Sequence, residues 1–314
     1  MSTILETANL VKKYGAFTAV KGLTFNVVEG EIFSLLGPNG AGKTTTISML
    51  STLYTPTSGD ATVGGHSVTR QPMTVRNLIG VVPQDLALYD ELTARENLVF
   101  WGQMYGLAGR PLQTRIAEVL GQIGLADKAD RRVKTYSGGM KRRVNIAVGL
   151  LHRPRLLFMD EPTVGIDPQS RRAILDTVKA LNREGMTVLY TTHYMEEAEE
   201  LSDRVGIIDH GDLIALGTQS ELKGQVGEMD TLLLHFDEGR SGEALAEAAR
   251  TIPGVLKADV TDHTVAVMAP EAEEILAPVI TQANQLGLKI RSVDIQEPDL
   301  EAVFLHLTGR ALRD

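Results

Sequence analysis

The chain has 314 residues, of which 43% are hydrophobic and 23% are charged, and its formal net charge at pH 7 is -9. This length exceeds that of one typical domain, so we expect two. The absence of cysteine excludes disulfides, thiol nucleophiles and cysteine-ligated zinc, and the negative charge argues against general nucleic-acid binding, which needs a basic surface. Residues 1–15 lack the order of a signal peptide, and no segment approaches the roughly 20 apolar residues that span a bilayer.

The first two thirds of the chain alternate predicted strands and helices. A helical stretch at 93–151, which opens with a capping box of Thr93 and Glu96, interrupts this alternation. The predicted strands cover 23–28, 31–36, 58–65, 79–82, 156–159, 187–191 and 204–208, and the predicted helices cover 44–53, 168–184 and 195–201. Such alternation predicts an α/β domain with a parallel sheet covered by helices, and we place it at residues 1–223.

The remaining residues have a different rhythm. After a pause at 224–227, the pattern is strand, helix, strand, strand, helix, strand, followed by a terminal helix at 300–307. The predicted segments are 231–236, 244–251, 255–260, 264–268, 272–286 and 290–295. This order is that of the split βαβ, ferredoxin-like arrangement, so we expect a small α+β domain at 228–314.

A glycine-rich segment follows the second predicted strand and opens a helix. It matches G-x-x-x-x-G-K-[ST], the phosphate-binding loop of P-loop NTPases, in the strand-to-helix context that this motif needs. We therefore expect ATP binding by Gly37, Pro38, Asn39, Gly40, Ala41, Gly42, Lys43, Thr44 and Thr45. Backbone N–H groups would face the β-phosphate, Lys43 would neutralise the β- and γ-phosphates, and the Thr44 hydroxyl would ligate Mg²⁺.

A second element, LLFMDEP at 156–162, is an apolar strand that ends in two carboxylates. A buried parallel strand would deliver Asp160 beside the phosphate loop, where it can hold Mg²⁺ directly or through water. Glu161 would then orient and polarise the attacking water. An acidic strand end by itself usually means only that the strand has reached solvent, so this assignment depends on the neighbouring loop.

A third element, YSGGMKRRVNIAVGLL at 136–151, narrows the class. Ser137 is a good helix N-cap, and Gly138 and Gly139 let the backbone approach an anion at the positive end of the helix dipole. Because the chain already has one phosphate loop, a second anion site on another helix suggests ATP shared between two subunits. The segment resembles the signature motif of ABC (ATP-binding cassette) proteins, whose common form begins LSGGQ.

Four further residues match elements of the same family in the expected order, and the resemblance spans about residues 1–220. It implies that Tyr14 stacks on adenine, that Gln84 senses Mg²⁺ and the attacking water, that Asp167 lies at the dimer interface, and that His193 contacts the γ-phosphate. Each residue alone would more often be structural, and their joint occurrence carries the assignment. The departures are Tyr136 and Met140 in the signature and residues 164–166 before Asp167.

The tail at 296–310, QEPDLEAVFLHLTGR, resembles the accessory C-terminal region of ABC-2-type exporter ATPases, a group that includes the daunorubicin-resistance ATP-binding proteins. The resemblance implies a Mg²⁺-dependent ATPase that closes as a homodimer, works with a separate transmembrane permease, and lies at the cytoplasmic face of the membrane. It also implies docking of the permease near Phe100, Trp101 and Tyr105. Core packing is the commoner role for any one of these aromatic residues, and our hypothesis is that Trp101 lines the docking groove.

Two alternatives from other classes remain. A non-transport ABC ATPase that acts on ribosomes or DNA typically has two cassettes or a long coiled-coil insertion, and neither is visible in this sequence. A regulatory module that senses ATP without hydrolysing it is disfavoured by the presence of Glu161 and His193.

Overall fold

The computed structural model describes residues 2–226, 230–236, 242–261, 263–296 and 299–308. They form two units that divide between Thr218 and Gln219. The sequence-based boundary at 223 therefore falls inside a helix. That helix belongs to the second unit, because it packs against the last helix of the described chain.

The first unit contains an antiparallel and a mainly parallel sheet. The antiparallel strands are β1 (Thr3–Tyr14), β2 (Phe17–Leu23), β3 (Asn26–Val28), β5 (Ser58–Val63) and β6 (His66–Ser67), in the order β2-β1-β5-β6 with β3 paired to β1. The other sheet comprises β4 (Ile32–Leu36), β7 (Ile79–Val82), β8 (Leu156–Asp160), β9 (Thr187–Thr192), β10 (Arg204–Asp209) and β11 (Asp212–Thr218). Its order is β11-β10-β4-β9-β8-β7, and only β11 runs antiparallel to its neighbour.

Seven helices flank these sheets. They are α1 (Lys43–Leu50), α2 (Pro72–Leu78), α3 (Ala94–Met104), α4 (Gly109–Gln122), α5 (Gly138–Leu150), α6 (Pro168–Arg183) and α7 (Met195–Leu201), with single 3-10 turns at Ala126–Lys128 and Val133–Thr135. Residues 93–151, all of which the structure describes, thus supply α3 to α5 as predicted, and Thr93 caps α3 through the expected capping box with Glu96. The α/β fold with a helical insertion is confirmed.

The parallel strands are buried on both faces, which explains their continuous apolar sequences. One face, including Leu157, Met159 and Tyr190, packs in a core with the helical segment. The opposite face packs in a core with α1 and the antiparallel sheet, where the rings of Phe25 and Phe33 stack with their centroids 5.2 Å apart. The carboxyl ends of β4, β8 and β9 therefore meet at one edge between these layers.

The second unit contains α8 (Gln219–Val226), β12 (Asp230–Phe236), α9 (Glu243–Ala249), β13 (Lys257–Thr261), β14 (Thr264–Ala269), α10 (Ala272–Gln285), β15 (Ile290–Gln296) and α11 (Leu300–Thr308). The strands lie in the order β13-β14-β12-β15 and are antiparallel throughout. This is the sheet order of the predicted ferredoxin-like arrangement.

Several elements differ from the prediction. The long strand β1, the short strand β6, the helix α2 and the hairpin strand β11 were not predicted. The register of β1 shifts after Leu10 and after Lys12. These shifts break the alternation of buried and exposed residues by which a strand is predicted from sequence. The predicted strand at 23–28 is two strands, because Phe25 donates its N–H to the Thr7 hydroxyl between them. Helix α1 ends before Thr52, which adopts a left-handed φ of 64°.

Candidate functional site

The phosphate loop joins β4 to α1 and is packed tightly from both sides. A Cβ on Gly37 would lie 2.1 Å from the carbonyl oxygen of Ile208, and one on Gly42 would lie 2.7 Å from that of Ala19. Gly42, the N-cap of α1, has a φ of 108°, and the first turn of α1 carries no acidic side chain. The start of α1 therefore offers backbone N–H groups and a positive dipole end to an anion.

Lys43 is held in place by oxygen atoms. Its side chain is 3% exposed, and its ammonium donates to the carbonyl oxygens of Gly37 at 2.6 Å and Pro38 at 3.0 Å. The same nitrogen lies 2.9 Å from Oε1 of Glu161. This cation is thus buried, paired and directed into the loop.

Two hydroxyl groups meet at the end of β8. Oδ1 of Asp160 accepts hydrogen bonds from Thr191 Oγ1 at 2.7 Å and from Thr44 Oγ1 at 3.2 Å. Burial raises the pKa of the Asp160 carboxyl, and the two hydroxyl bonds oppose that rise. Burying a carboxylate is unfavourable in free energy unless a cation compensates its charge. A carboxylate at this position therefore indicates a functional site.

The arrangement fits a Mg²⁺ ion that completes its shell with ATP. Mg²⁺ prefers oxygen ligands and is usually bound by one or two carboxylates together with phosphate oxygens, which a hydroxyl from Thr44 and a carboxylate from Asp160 match. No group of three His, Cys, Asp or Glu side chains that could hold a metal by itself occurs among the described residues.

Glu161 lies in a strained turn directly after β8. Its φ of 43° is uncommon for a residue with a side chain, and its N–H donates to the hydroxyl of Thr191 at 3.0 Å. The turn directs its carboxylate between two partners, since Oε2 lies 3.2 Å from Nδ1 of His193 while Oε1 faces Lys43. The structure thus brings together three of the predicted catalytic side chains.

A cavity of about 330 Å³ opens over this cluster. Its lining includes most of the predicted ATP-binding residues, namely Tyr14, Asn39, Gly40, Gly42, Lys43, Thr44 and Thr45, together with Gln84 and Glu161. Phe17 and Ala19 also line it and were not predicted. The missed signal was the hairpin, because Phe17 pairs with Tyr14 across the turn that joins β1 to β2.

Tyr14 stands at the mouth of this cavity. The ring is 45% exposed, and the Tyr54 ring packs against it edge-on with centroids 6.3 Å apart. The ammonium of Lys12 lies 5.3 Å from the Tyr14 centroid. Tyr14 therefore presents a supported aromatic face on which a nucleobase could stack.

The signature segment lies outside the cavity. Ser137 caps α5 by accepting the N–H of Met140 at 3.3 Å, and both Ser137 and Gly138 are exposed. Gly139 is buried so closely on α6 that a Cβ there would lie 2.2 Å from the Cβ of Ser170. The chain thus offers an exposed, glycine-flanked helix start that its own phosphate loop does not use.

Asp167 caps α6 next to this segment. Its Oδ1 accepts the N–H of Ser170 at 2.9 Å, and this bond is the largest cause of the lowered pKa of the Asp167 carboxyl. The two residues that differ from the common signature, Tyr136 and Met140, both pack against the core. Tyr136 is buried and its hydroxyl donates to the carbonyl oxygen of Lys128 at 2.7 Å, and Met140 packs on the core beneath α5.

A row of aromatic side chains follows α3. The ring of Phe100 contacts Tyr89 and Trp101 edge-on, at centroid distances of 4.9 and 5.4 Å. Trp101 is half-buried and donates its indole N–H to the carbonyl oxygen of Ala87 at 2.9 Å, whereas Tyr105 stacks on His152. Trp101 is therefore part of the core edge and also, with Tyr89 and Phe100, of an aromatic surface next to Ala87.

None of the helices in the described part of the chain is long and apolar enough to cross a membrane.

Comparison with known proteins identifies the family. The ABC transporter domain model matches residues 20–164. The linearmycin resistance ATP-binding protein LnrL of Bacillus subtilis is 49% identical, over 99% of this chain and 100% of its own length. The daunorubicin/doxorubicin resistance ATP-binding protein DrrA of Streptomyces peucetius is 43% identical, over 99% of this chain and 94% of its own length.

A solved structure agrees with these sequence matches. The ATP-binding cassette MJ0796, in a dimeric post-hydrolysis state bound to ADP and Pi, is 28% identical, covers 68% of this chain and 98% of its own, and superposes with a TM-score of 0.62.

Proposed function

Because this chain belongs to the ABC transporter family of ATP-binding subunits, we propose that it binds Mg·ATP in the cavity beside Tyr14 and hydrolyses it at Glu161 to power export. The observation that carries the proposal is the position of Glu161, which lines that cavity beside Lys43 and lies 2.9 Å from the Lys43 ammonium and 3.2 Å from Nδ1 of His193. The antibiotic-resistance relatives favour a hydrophobic, drug-like or lipid-like cargo.

In this proposal the residues divide the work of phosphoryl transfer. Lys43 and the loop N–H groups hold the β- and γ-phosphates, and Tyr14 supports the adenine. Thr44 and Asp160 would hold Mg²⁺, with Gln84 sensing it, and the ion would supply positive charge to the phosphates.

Hydrolysis needs a water in line with the bond between the γ-phosphorus and its bridging oxygen. Glu161 orients that water and accepts its proton as the new P–O bond forms and the bridging bond breaks, leaving ADP and phosphate. His193, Gln84 and Lys43 stabilise the charge that accumulates on the γ-phosphoryl oxygens. The contact between His193 and Glu161 keeps both groups on the same side of the site.

The site is completed by a second copy of the chain. Ser137 and Gly138 are exposed, and neither they nor the buried Gly139 line their own cavity, so a head-to-tail partner can place this helix start on the γ-phosphate, with Asp167 beside it at the interface. Closure of this dimer on ATP is the motion that a transmembrane permease uses. We place the contact with that permease at Trp101 and the aromatic surface that it forms with Tyr89 and Phe100.

The test replaces Glu161 by Gln, which removes the proton acceptor and keeps the shape. We expect phosphate release to fall by about 100-fold or more, the usual contribution of a general base, while Mg·ATP still binds and drives dimerisation. Glu196→Gln, an exposed carboxylate on α7, is the matched control and should retain full activity. Phosphate release by Glu161→Gln at half the wild-type rate, or turnover that survives Ser137→Ala unchanged, would refute the proposal.

A further inference from the structure

A buried carboxyl group that the proposed mechanism does not use lies in the first turn of α7. Glu197 is 2% exposed, and its Oε2 accepts hydrogen bonds from the hydroxyl of Tyr190 and from that of Thr192, each at 2.9 Å. Tyr190 is itself fully buried. A buried carboxyl group with such donors is costly to place by chance and fixes the geometry of the groups that bind it.

The hydroxyl of Thr192 connects Glu197 to the loop after β9 through hydrogen bonds. Thr192 ends the strand, and its Oγ1 also accepts the N–H of Tyr194 at 2.9 Å. The carbonyl oxygen of Thr192 accepts the N–H of Gly37 at 3.2 Å. The residues on both sides of His193 are therefore tied to one hydroxyl, and that hydroxyl is tied to Glu197 and, through its own backbone, to the phosphate loop.

The remaining oxygen of Glu197 faces α6. Oε1 lies 3.6 Å from Nε of Arg171, and neither atom has a hydrogen-bond partner among the described residues. The guanidinium of Arg171 covers the Tyr194 ring at 4.3 Å from its centroid. Arg171 follows Ser170, the residue against which Gly139 of the signature segment is packed.

We propose that Glu197 is a positioning residue for His193, holding the loop at 192–194 through the Thr192 hydroxyl and linking it to α6 through Arg171. The inference rests on the proposed function, since it assumes that His193 acts on the γ-phosphoryl group. A loop held from both sides keeps the His193 ring within reach of Glu161, and a displacement of about 1 Å at such a group can cost on the order of 100-fold in rate.

Four variants separate positioning from ordinary packing. Glu197→Ala removes the oxygen that accepts both hydroxyl hydrogen bonds, whereas Glu197→Gln can keep an oxygen at the Oε2 position and replaces the charged oxygen facing Arg171 with an amide NH2. Thr192→Val removes the relay hydroxyl, and Thr192→Ser restores it. The matched control is Glu31→Ala, because Glu31 is also a buried carboxyl group, 3.2 Å from Arg204, but lies before β4 at the opposite end of the sheet.

The measurements are kcat and KM for Mg·ATP with the purified full-length chain, and its unfolding temperature. We expect Glu197→Ala and Thr192→Val each to lower kcat by about 10- to 100-fold with KM changed by less than about threefold. Glu197→Gln and Thr192→Ser should stay within about threefold of wild type in kcat. The Glu197→Ala, Thr192→Val double variant should lose little more than either single variant, because both break one relay. Glu31→Ala should lower the unfolding temperature and leave kcat unchanged.

The proposal is overturned if Thr192→Val keeps wild-type kcat, if Thr192→Ser is as impaired as Thr192→Val, or if Glu31→Ala lowers kcat as much as Glu197→Ala. Thr192→Val decides the matter alone should Glu197→Ala fail to fold. The Glu161→Gln result keeps the two hypotheses apart. Loss of turnover in Glu161→Gln with full turnover in Thr192→Val removes only the positioning role, whereas turnover in Glu161→Gln removes the proposed function itself.

Discussion

Gly139 offers the sharpest test of how the signature segment is built. An added Cβ would lie 2.2 Å from the Cβ and 2.3 Å from the Oγ of Ser170, both far inside any normal contact distance. Gly139→Ala must therefore push the start of α5 away from α6. The exposed neighbour Gly138 provides a contrast, because its added Cβ would meet only the tip of Ile166 at 3.4 Å.

The expected size of the effect follows from this crowding. Overpacking a well-packed interface costs typically about 1–3 kcal/mol, and in a unit of this size each kcal/mol lowers the unfolding temperature by about 2–4 °C. Gly139→Ala should thus lower the unfolding temperature by roughly 2–12 °C, whereas Gly138→Ala should leave it near the wild-type value. ATPase activity should fall with Gly139→Ala as well, because the displaced helix start carries Ser137.

Second-site changes in Ser170 show whether the clash is the cause. Ser170→Gly removes the two atoms within 2.3 Å of the new methyl group, leaving only the Cα at 3.3 Å, and should restore most of the stability lost in Gly139→Ala. Ser170→Ala keeps the Cβ at 2.2 Å and should not. The assay is thermal unfolding of the four single and two double variants. Wild-type stability of Gly139→Ala, or equal rescue by Ser170→Gly and Ser170→Ala, would refute the packing argument.

Three further predictions use the same chain. Tyr136→Phe loses the hydrogen bond to the Lys128 carbonyl and should cost about 1 kcal/mol in urea unfolding with unchanged ATPase activity. Asp167, whose pKa is lowered in the folded chain, stabilises it above its unfolded pKa and ceases to do so as pH falls through the folded pKa. Asp167→Asn, still an N-cap but without the charge, should therefore be less stable than wild type at neutral pH, and the difference should shrink as the pH falls through the folded pKa. Trp101→Ala should weaken co-purification of the permease, and intact assembly with full stimulated ATPase activity would remove Trp101 from the interface.

The parts of the site that are local in sequence could be predicted. The phosphate loop is nine consecutive residues. Its glycines act through the backbone, and the side chains of its lysine and threonine act within the same loop, so residue type and spacing suffice. The same holds for Ser137, which the structure shows as the predicted N-cap of α5, whereas the capping of α6 by Asp167 was not predicted. The ferredoxin-like order of the second unit also followed from its regular alternation, which has no bulge large enough to hide a strand.

Contacts that depend on sheet order could not be predicted. Thr191 holds both Asp160 and the N–H of Glu161 because β9 lies next to β8, although 30 residues separate them in the chain. Phe17 lines the cavity because the hairpin pairs it with Tyr14. Strand β1 was not predicted because its bulges break the alternation of buried and exposed residues. Such neighbours are set by tertiary pairing, which a one-dimensional pattern does not contain.

The ion pair between Lys43 and Glu161 affects both the association rate and the affinity of nucleotide in the proposed mechanism. An arriving phosphate does not meet a free cation. It must displace a carboxylate already bound to that ammonium, so association is an exchange of one anion for another, and the measured affinity is the difference between the two. The carboxylate released by this exchange becomes available to a water at the moment when substrate is seated, which couples occupancy of the site to readiness of its base.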